Sequence, residues 1–139
     1  MMRVAFLSTV YGYAYSGADS LWVRAAELAM ARGDAVFIGT TSSVAAHPRI
    51  DGMIRRGARY SCCQAPTIPG DSADRVRRKF EYLSPNSDSL VSALHEFRPD
   101  RVVFSCGGTY DLVREGRVLG LLRIQRIPYW VLANWQTEK

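Results

Sequence analysis

The stretch from residue 3 to residue 39, RVAFLSTVYGYAYSGADSLWVRAAELAMARGDAVFIG, decides the fold. It begins with an apolar run over residues 4–10, which is typical of a central parallel strand that is covered on both faces. Residues 19–32 predict an amphipathic helix, Gly33 is placed to end it, and residues 35–39 predict a second strand. A strand, a helix and a strand within 37 residues have the spacing of a right-handed crossover unit.

The helix predicted over residues 19–32 has two unlike faces. One face is expected to lie on the sheet and carries Leu21, Trp22, Ala25, Leu28 and Ala29. The opposite face is expected to meet solvent and carries Ser20, Arg24, Glu27 and Ala31.

The alternation of short apolar runs with amphipathic stretches continues along the chain. Further strands are predicted at residues 58–62, 101–105 and 129–133. Further helices are predicted at residues 48–56, 73–83, 87–98 and 111–125. The sequence therefore predicts an α/β fold with a Rossmann-like open parallel sheet of about five strands in the order 3-2-1-4-5 and helices on both faces.

Length, composition and charge exclude several classes of protein. The 139 residues fit one domain, and 47% apolar with 22% charged residues is ordinary for a folded protein. The net charge of +5 is spread along the chain, so no nucleic-acid partner is expected, and no apolar run approaches the roughly 20 residues of a membrane span. The local basic cluster allows two interpretations, a solvated helix face or a contact with an anionic membrane surface; it comprises Arg75, Arg77, Arg78 and Lys79.

Cysteine and histidine usage indicates structural thiols in a reducing, cytoplasmic environment. Cys62, Cys63 and Cys106 are odd in number and contain no C-x-x-C spacing. A nucleophilic Cys106 would need a base, and neither His47 nor His95 is expected at a strand end. The sequence therefore predicts neither a disulfide nor a metal site.

The loops after the first and fourth strands are the candidate binding region, because ligands of open parallel sheets bind at the carboxyl ends of the strands where the strand order reverses. Ser16 suits a helix N-cap, and Asp19 can complete a capping box with it. Gly17 and Ala18 would then present free backbone N–H groups at the positive end of the helix dipole, where a phosphate or carboxylate can bind. The alternative, that Ser16 and Asp19 only cap the helix, stays open at this point.

The same two loops supply further candidates for the walls of a cleft. These are Tyr11, Tyr13, Tyr15, Gly107, Gly108, Thr109 and Tyr110. The loops contain neither a Walker A motif nor G-x-G-x-x-G, and the second strand is not followed by an acidic residue for a ribose, so no nicotinamide cofactor is expected. They also hold no carboxylate cluster that would indicate a metal.

Four short segments, taken in order, resemble a known enzyme family. Residues 16–19 (SGAD) resemble a Gly-Gly-Ala-Glu-like turn, and residues 29–36 (AMARGDAV) resemble an Ala-x-x-Gly-His-x-Val segment. Residues 97–103 (FRPDRVV) are similar to an Arg-Pro-Asp-x-Val motif, and residues 127–131 (IPYWV) to a Pro-x-x strand. Together they resemble the N-terminal domain of family-4 (group 1) glycosyltransferases of GT-B fold. Ser16, Asp19 and Asp34 depart from the family's Gly, Glu and His.

The resemblance implies that residues 1–139 are a single Rossmann-like domain, the N-terminal, acceptor-side half of a two-domain enzyme whose C-terminal donor domain is absent from this chain. Such an enzyme would transfer a sugar from a nucleotide-diphosphate sugar to an acceptor, without a cofactor. The resemblance places the donor diphosphate at Ser16, Gly17, Ala18 and Asp19, and places the loop residues named above and Asn134 in the acceptor cleft. Many members carry His where this chain has Asn134, and because an amide cannot titrate, no catalytic residue is assigned.

Two further expectations complete the sequence-based prediction. The alternative to a transferase is a non-catalytic, flavodoxin-like domain that binds a ligand or a protein, because one α/β sheet serves many functions. The fifth predicted strand is apolar and close to the end of the chain, so its edge is expected to be open and to promote self-association.

Overall fold

The computed structural model describes residues 1–9, 15–63, 89–106 and 115–133. The elements within these ranges are β1 (Arg3–Ser8), α1 (Gly17–Ala31), β2 (Ala35–Thr40), α2 (Ser42–Ala45), α3 (Pro48–Arg55), β3 (Arg59–Cys62), α4 (Ser89–Phe97), β4 (Arg101–Cys106), α5 (Gly116–Ile124) and β5 (Tyr129–Ala133). The helix predicted over residues 73–83 lies outside the described residues. The short α2 was not predicted, because four residues are too few to show a helical period.

The five strands form one parallel sheet in the order β3-β2-β1-β4-β5, which confirms the predicted topology. β1 is central, with Ala5 opposite Phe37 of β2 on one side and opposite Val102 of β4 on the other. In chain order, β2 and β3 are therefore added on one side of β1, and β4 and β5 are then added on its other side. This switch point is where open α/β sheets place their ligands.

Both faces of the sheet are buried at β1, which explains the unbroken apolar run of this strand. Val4 and Phe6 join a core beneath α1 and α3, whereas Ala5 and Leu7 join a second core beneath α4 and α5. Successive residues of a strand point to opposite faces, so a strand covered on both sides must be apolar throughout. None of the described helices is long and apolar enough to cross a membrane.

The predicted apolar face of α1 is partly wrong: Trp22 and Ala29 are buried as predicted, but Leu21, Ala25 and Leu28 are exposed. Leu21 and Leu28 are 61% and 51% exposed, whereas the residues that face the sheet are Asp19, Trp22, Val23, Ala26 and Ala29. The cause is the buried Asp19 carboxylate, which accepts hydrogen bonds from Ser8 and Trp22. These bonds fix the rotation of α1, so that the residues at helical spacing after Asp19 also face the sheet.

β5 lies at one edge of the sheet and is open, as the sequence predicts. It pairs with β4 on one side, and Tyr129, Trp130 and Val131 remain between 38% and 48% exposed. Within the described residues no further strand covers its other side.

Gly39 shows how tightly the second core is packed. A Cβ at this position of β2 would lie 2.6 Å from Leu7 Cδ2 and 3.2 Å from Leu90 Cδ1. Gly52, inside α3, has no atom within 4 Å of the equivalent point. Glycine at position 39 is therefore required by the approach of its neighbours, and glycine at position 52 is not.

We expect Gly39→Ala to lower the free energy of unfolding by about 1–3 kcal/mol, because Leu7 and Leu90 must move within a packed core. The matched control, Gly52→Ala, should raise it by about 0.5–1 kcal/mol, because alanine favours the helix. Urea denaturation of both variants measures the difference, and equal stabilities would contradict the packing described for β2.

Candidate functional site

The carboxyl ends of the three central strands carry a row of buried hydroxyl groups. Ser8 of β1 is paired in register with Ser105 of β4. On the other side, the register that pairs Leu7 with Gly39 brings Ser8 beside Thr40 of β2. All three side chains are at most 2% exposed, so the ligand-facing end of the sheet has a polar floor beneath the N-terminus of α1.

Asp19 joins this floor to the start of α1. Its Oδ1 accepts hydrogen bonds from Ser8 Oγ at 3.0 Å and from Trp22 Nε1 at 2.9 Å. Its Oδ2 accepts a hydrogen bond from the backbone N–H of Ser16 at 2.9 Å, with Ser16 Oγ at 3.3 Å. Asp19 thus forms the capping interaction with Ser16 that the sequence predicts. The side chain is 1% exposed, and four donors compensate its loss of hydration.

The inward turn of Asp19 leaves the end of α1 open. The N–H groups of Gly17 and Ala18 occupy the first helical turn, where the helix itself offers no acceptor, and no described residue accepts a hydrogen bond from either. Gly17 is exposed, and no atom lies within 4 Å of the point that a Cβ would occupy. The arrangement provides backbone donors at the positive end of a 15-residue helix, with the nearest carboxylate turned away.

Tyr15 and His47 form an aromatic stack beside this helix end. Their ring centroids are 3.7 Å apart and the rings are inclined by 16°. His47 Nδ1 accepts a hydrogen bond from the backbone N–H of Arg49 at 3.3 Å, so His47 is the N-cap of α3. In the neutral ring the proton is therefore on Nε2.

His47 does not lie at a strand end, as expected, but it reaches the candidate site from the start of α3. His47 follows β2 by way of α2 and reaches the same edge of the sheet as the start of α1, through its stack on Tyr15. One signal in the sequence could have placed it there. Pro48 favours the first position of a helix, and a helix that follows a parallel strand begins at the carboxyl edge.

An ion pair holds the stack in place. The Arg49 guanidinium donates two hydrogen bonds to the Glu27 carboxylate, at 3.0 and 2.6 Å, and a longer one to Tyr15 Oη at 3.4 Å. The pair lowers the pKa of Glu27 below its ordinary value and raises the pKa of Arg49, because each group stabilises the charged form of the other. α1 and α3 are therefore locked together behind Tyr15.

Two hydroxyl groups at the same edge are unsatisfied within the described residues. Thr9, directly after β1, and Thr40, at the end of β2, are fully buried, and their Oγ1 atoms have no described hydrogen-bond partner. Buried hydroxyls without partners are uncommon and costly, so this edge of the sheet retains unused polar capacity.

The cysteines are consistent with structural thiols. Cys63 and Cys106 are buried and Cys62 is exposed, and all three are free. Burial, together with the negative charge of the nearby Glu115, raises the pKa of the Cys63 thiol well above its ordinary value. A thiol that stays protonated is a poor nucleophile.

Several predicted site residues lie outside the described residues. They are Tyr11, Tyr13, Gly107, Gly108, Thr109, Tyr110 and Asn134, and the basic cluster Arg75, Arg77, Arg78 and Lys79 lies there too. Of the predicted site, the structure describes residues 15–19 and brings them together with His47. Among the described residues no group of three or more His, Cys, Asp or Glu could hold a metal ion.

Two solved structures of glycosyltransferases share this fold. Acinetobacter baumannii MurG matches 94% of this chain with a TM-score of 0.59 and 15% sequence identity. The glycotransferase of kitacinnamycin matches 96% of this chain with a TM-score of 0.60 and 20% identity. This chain spans 34% and 30% of their lengths, so it resembles one Rossmann-like domain of GT-B glycosyltransferases. No protein-family model and no curated protein sequence matches it.

We expect Asp19→Asn to lower the free energy of unfolding by about 2–3 kcal/mol, because the amide nitrogen cannot accept the hydrogen bonds that one carboxylate oxygen accepts now. Asp51→Asn is the matched control, because Asp51 forms an exposed ion pair with Arg55 at 2.8 Å. Loss of this ion pair should change the free energy of unfolding by less than about 0.5 kcal/mol. Equal effects in guanidinium denaturation would show that Asp19 does not anchor α1.

Proposed function

We propose that this chain is the N-terminal, acceptor-side domain of a GT-B glycosyltransferase similar to family 4, which transfers a sugar from a nucleotide-diphosphate sugar to an acceptor. The observation that carries the proposal is the open N-terminus of α1 at the switch point of the sheet. The fold likeness to two glycosyltransferases supports it. In this proposal a second Rossmann-like domain supplies the rest of the donor site, and no cofactor is needed.

The donor diphosphate would bind at the start of α1. The backbone N–H groups of Gly17 and Ala18 are available there, and Gly17 has no side chain to obstruct an anion. Asp19, a predicted contact in its own right, instead acts indirectly in this proposal: its hydrogen bonds to Ser16, Ser8 and Trp22 hold the helix end in place and its charge points into the protein. This resolves the repulsion that a carboxylate beside a phosphate would cause.

The acceptor would bind between the loops that follow β1 and β4. The described wall of this cleft is the stack of Tyr15 and His47. Because His47 Nδ1 accepts a hydrogen bond from Arg49, its Nε2–H is the atom that can donate to a sugar hydroxyl. Tyr11, Tyr13, Gly107, Gly108, Thr109, Tyr110 and Asn134 complete the proposed cleft, and a cytoplasmic location is part of the same proposal.

The test of the phosphate site compares two substitutions in the enzyme that carries this domain. Gly17→Val should raise the donor KM by about tenfold or more, because a branched side chain blocks N–H groups that bond a charged ligand. Its melting temperature should change little, because the new Cβ meets open space. Ser16→Ala should do the opposite: the loss of a cap worth about 1 kcal/mol lowers the melting temperature, with donor kinetics nearly unchanged.

The outcome separates the two interpretations of this helix end. If Gly17→Val keeps wild-type donor kinetics, residues 16–19 are a helix cap only. If, in addition, no nucleotide sugar binds or is turned over with the partner domain present, a non-catalytic binding domain becomes the better explanation.

The chain alone should show no sugar transfer and should self-associate through β5, whose exposed backbone edge can pair with a second strand. Val131→Lys places a charge on this edge and should shift the protein towards monomer in light scattering. Leu28→Lys, at an exposed apolar position of α1, is the matched control and should not. A wild-type chain that stays monomeric at high concentration, or that transfers sugar alone, would contradict this prediction.

A further inference from the structure

The amino edge of the sheet, opposite the candidate site, collects most of the described arginines. All five strands are parallel, so their first residues share one edge, and the connecting helices end at that same edge. Eight of the twelve arginines that the structure describes lie there and are exposed: Arg3, Arg32, Arg56, Arg59, Arg98, Arg101, Arg123 and Arg126. Arg55 also ends α3 but is paired with Asp51.

Few carboxylates oppose these charges. Asp34 accepts hydrogen bonds from the Met2 backbone N–H at 3.1 Å and from Arg32 at 2.8 Å, which together lower the pKa of Asp34. Glu96 is paired with Arg59 at 2.9 Å, and Asp100 accepts from the backbone N–H of Arg3 at 2.7 Å. These three are the acidic residues of the described edge, which leaves a surplus of five positive charges.

Helix dipoles explain only some of these arginines. Cations stabilise helix C-termini, which explains arginines that end helices. Arg3, Arg59 and Arg101, however, each open a strand, where no such dipole exists.

Two arginines occupy positions where glycine is favoured. α1 and α3 are followed by left-handed residues, Gly33 with φ 84° and Gly57 with φ 107°. The residues in the same conformation after α4 and α5 are Arg98 with φ 52° and Arg126 with φ 54°. A side chain in this region carries an energetic cost that glycine avoids, so at these two positions the chain carries positive charge where the backbone conformation favours glycine.

Exposed apolar side chains lie among the arginines. Met1 is 96% exposed, Ile124 is 84% exposed, and Trp130 is 48% exposed with the Arg101 guanidinium 5.2 Å from its ring centre. An open groove of about 590 Å³ at the same edge is lined by Arg3, Ser92, His95, Glu96 and Arg98. Basic residues interleaved with aliphatic residues and a tryptophan are typical of surfaces that lie on anionic lipid.

We propose that the amino edge of this domain binds the surface of an anionic lipid bilayer, with the arginines contacting lipid phosphates and Ile124 and Trp130 entering the headgroup region. Lipid is favoured over a nucleic acid because Met1 and Ile124 gain nothing from a phosphate backbone but gain from contact with acyl chains. Strands of six residues are about 20 Å long, so the candidate site would face away from the membrane. The inference is independent of the proposed transfer reaction.

The experiment is co-sedimentation of the full chain with vesicles of phosphatidylcholine alone or rich in phosphatidylglycerol, at low and high salt. We expect binding to the anionic vesicles only, weakened by salt. The double variant Arg98→Gly with Arg126→Gly should lower the partition coefficient by roughly 20- to 30-fold. Its melting temperature should not fall, because glycine relieves two left-handed positions, so a loss of binding cannot be attributed to unfolding.

Two controls locate the surface. Arg75→Gln with Arg77→Gln removes the same charge from the basic cluster outside the described residues and should have a much smaller effect. Ile124→Ser should weaken binding by roughly three- to tenfold, whereas Leu21→Ser, at an exposed apolar position near the other edge, should not. Equal binding to both vesicle types, loss only in the Arg75 and Arg77 variant, or binding of single-stranded RNA without binding of vesicles would overturn the proposal.

Discussion

The buried carboxylate of Asp19 is the interaction on which the arrangement of the candidate site depends. It receives hydrogen bonds from β1 through Ser8, from the backbone before the helix through Ser16, and from within the helix through Trp22. A buried charge is tolerated only when such donors surround it, so the three partners fix each other's positions. The same hydrogen bonds set the rotation of α1 on the sheet and direct the negative charge away from the helix end. The N–H groups of Gly17 and Ala18, which no described residue accepts from, therefore lie in a positive local field.

The sequence predicts the fold better than it predicts the site, and particular residues show why. Apolar runs such as residues 4–7 can only be buried strands, and crossover rules then leave few possible strand orders. The rotation of α1 was missed because hydrophobicity places Leu21 and Leu28 inward, whereas a buried polar group, Asp19, decides the orientation. The stack of His47 on Tyr15 was missed because it joins residues 32 positions apart, through a helix too short to show a period. Side-chain contacts of this kind depend on tertiary packing and leave no periodic signal in one sequence.

The parallel topology also gives the two edges of the sheet opposite electrostatic characters. At the carboxyl edge the described charges are compensated: Asp19 is enclosed by donors, and Glu27 is bound by Arg49 next to the aromatic stack. The available donors there are neutral backbone groups whose strength comes from the helix dipole. At the amino edge the charges are side chains, exposed and in excess. The carboxyl edge therefore suits a single anion of defined shape, whereas the amino edge suits an extended anionic surface.

Arg98 and Arg126 add side-chain charge to the amino edge at positions whose backbone conformation favours glycine. Each ends its helix in the left-handed conformation, in which Gly33 and Gly57 end theirs without strain from a side chain. A chain shaped only for stability would carry glycine at all four positions, since the backbone geometry there favours it and exposed ion pairs contribute little. If the amino edge lies on an anionic bilayer, as proposed, Arg98 and Arg126 add their charge to that contact. The two residues follow different helices and lie on different strand connections, so together they suit an extended anionic surface better than a single small ligand.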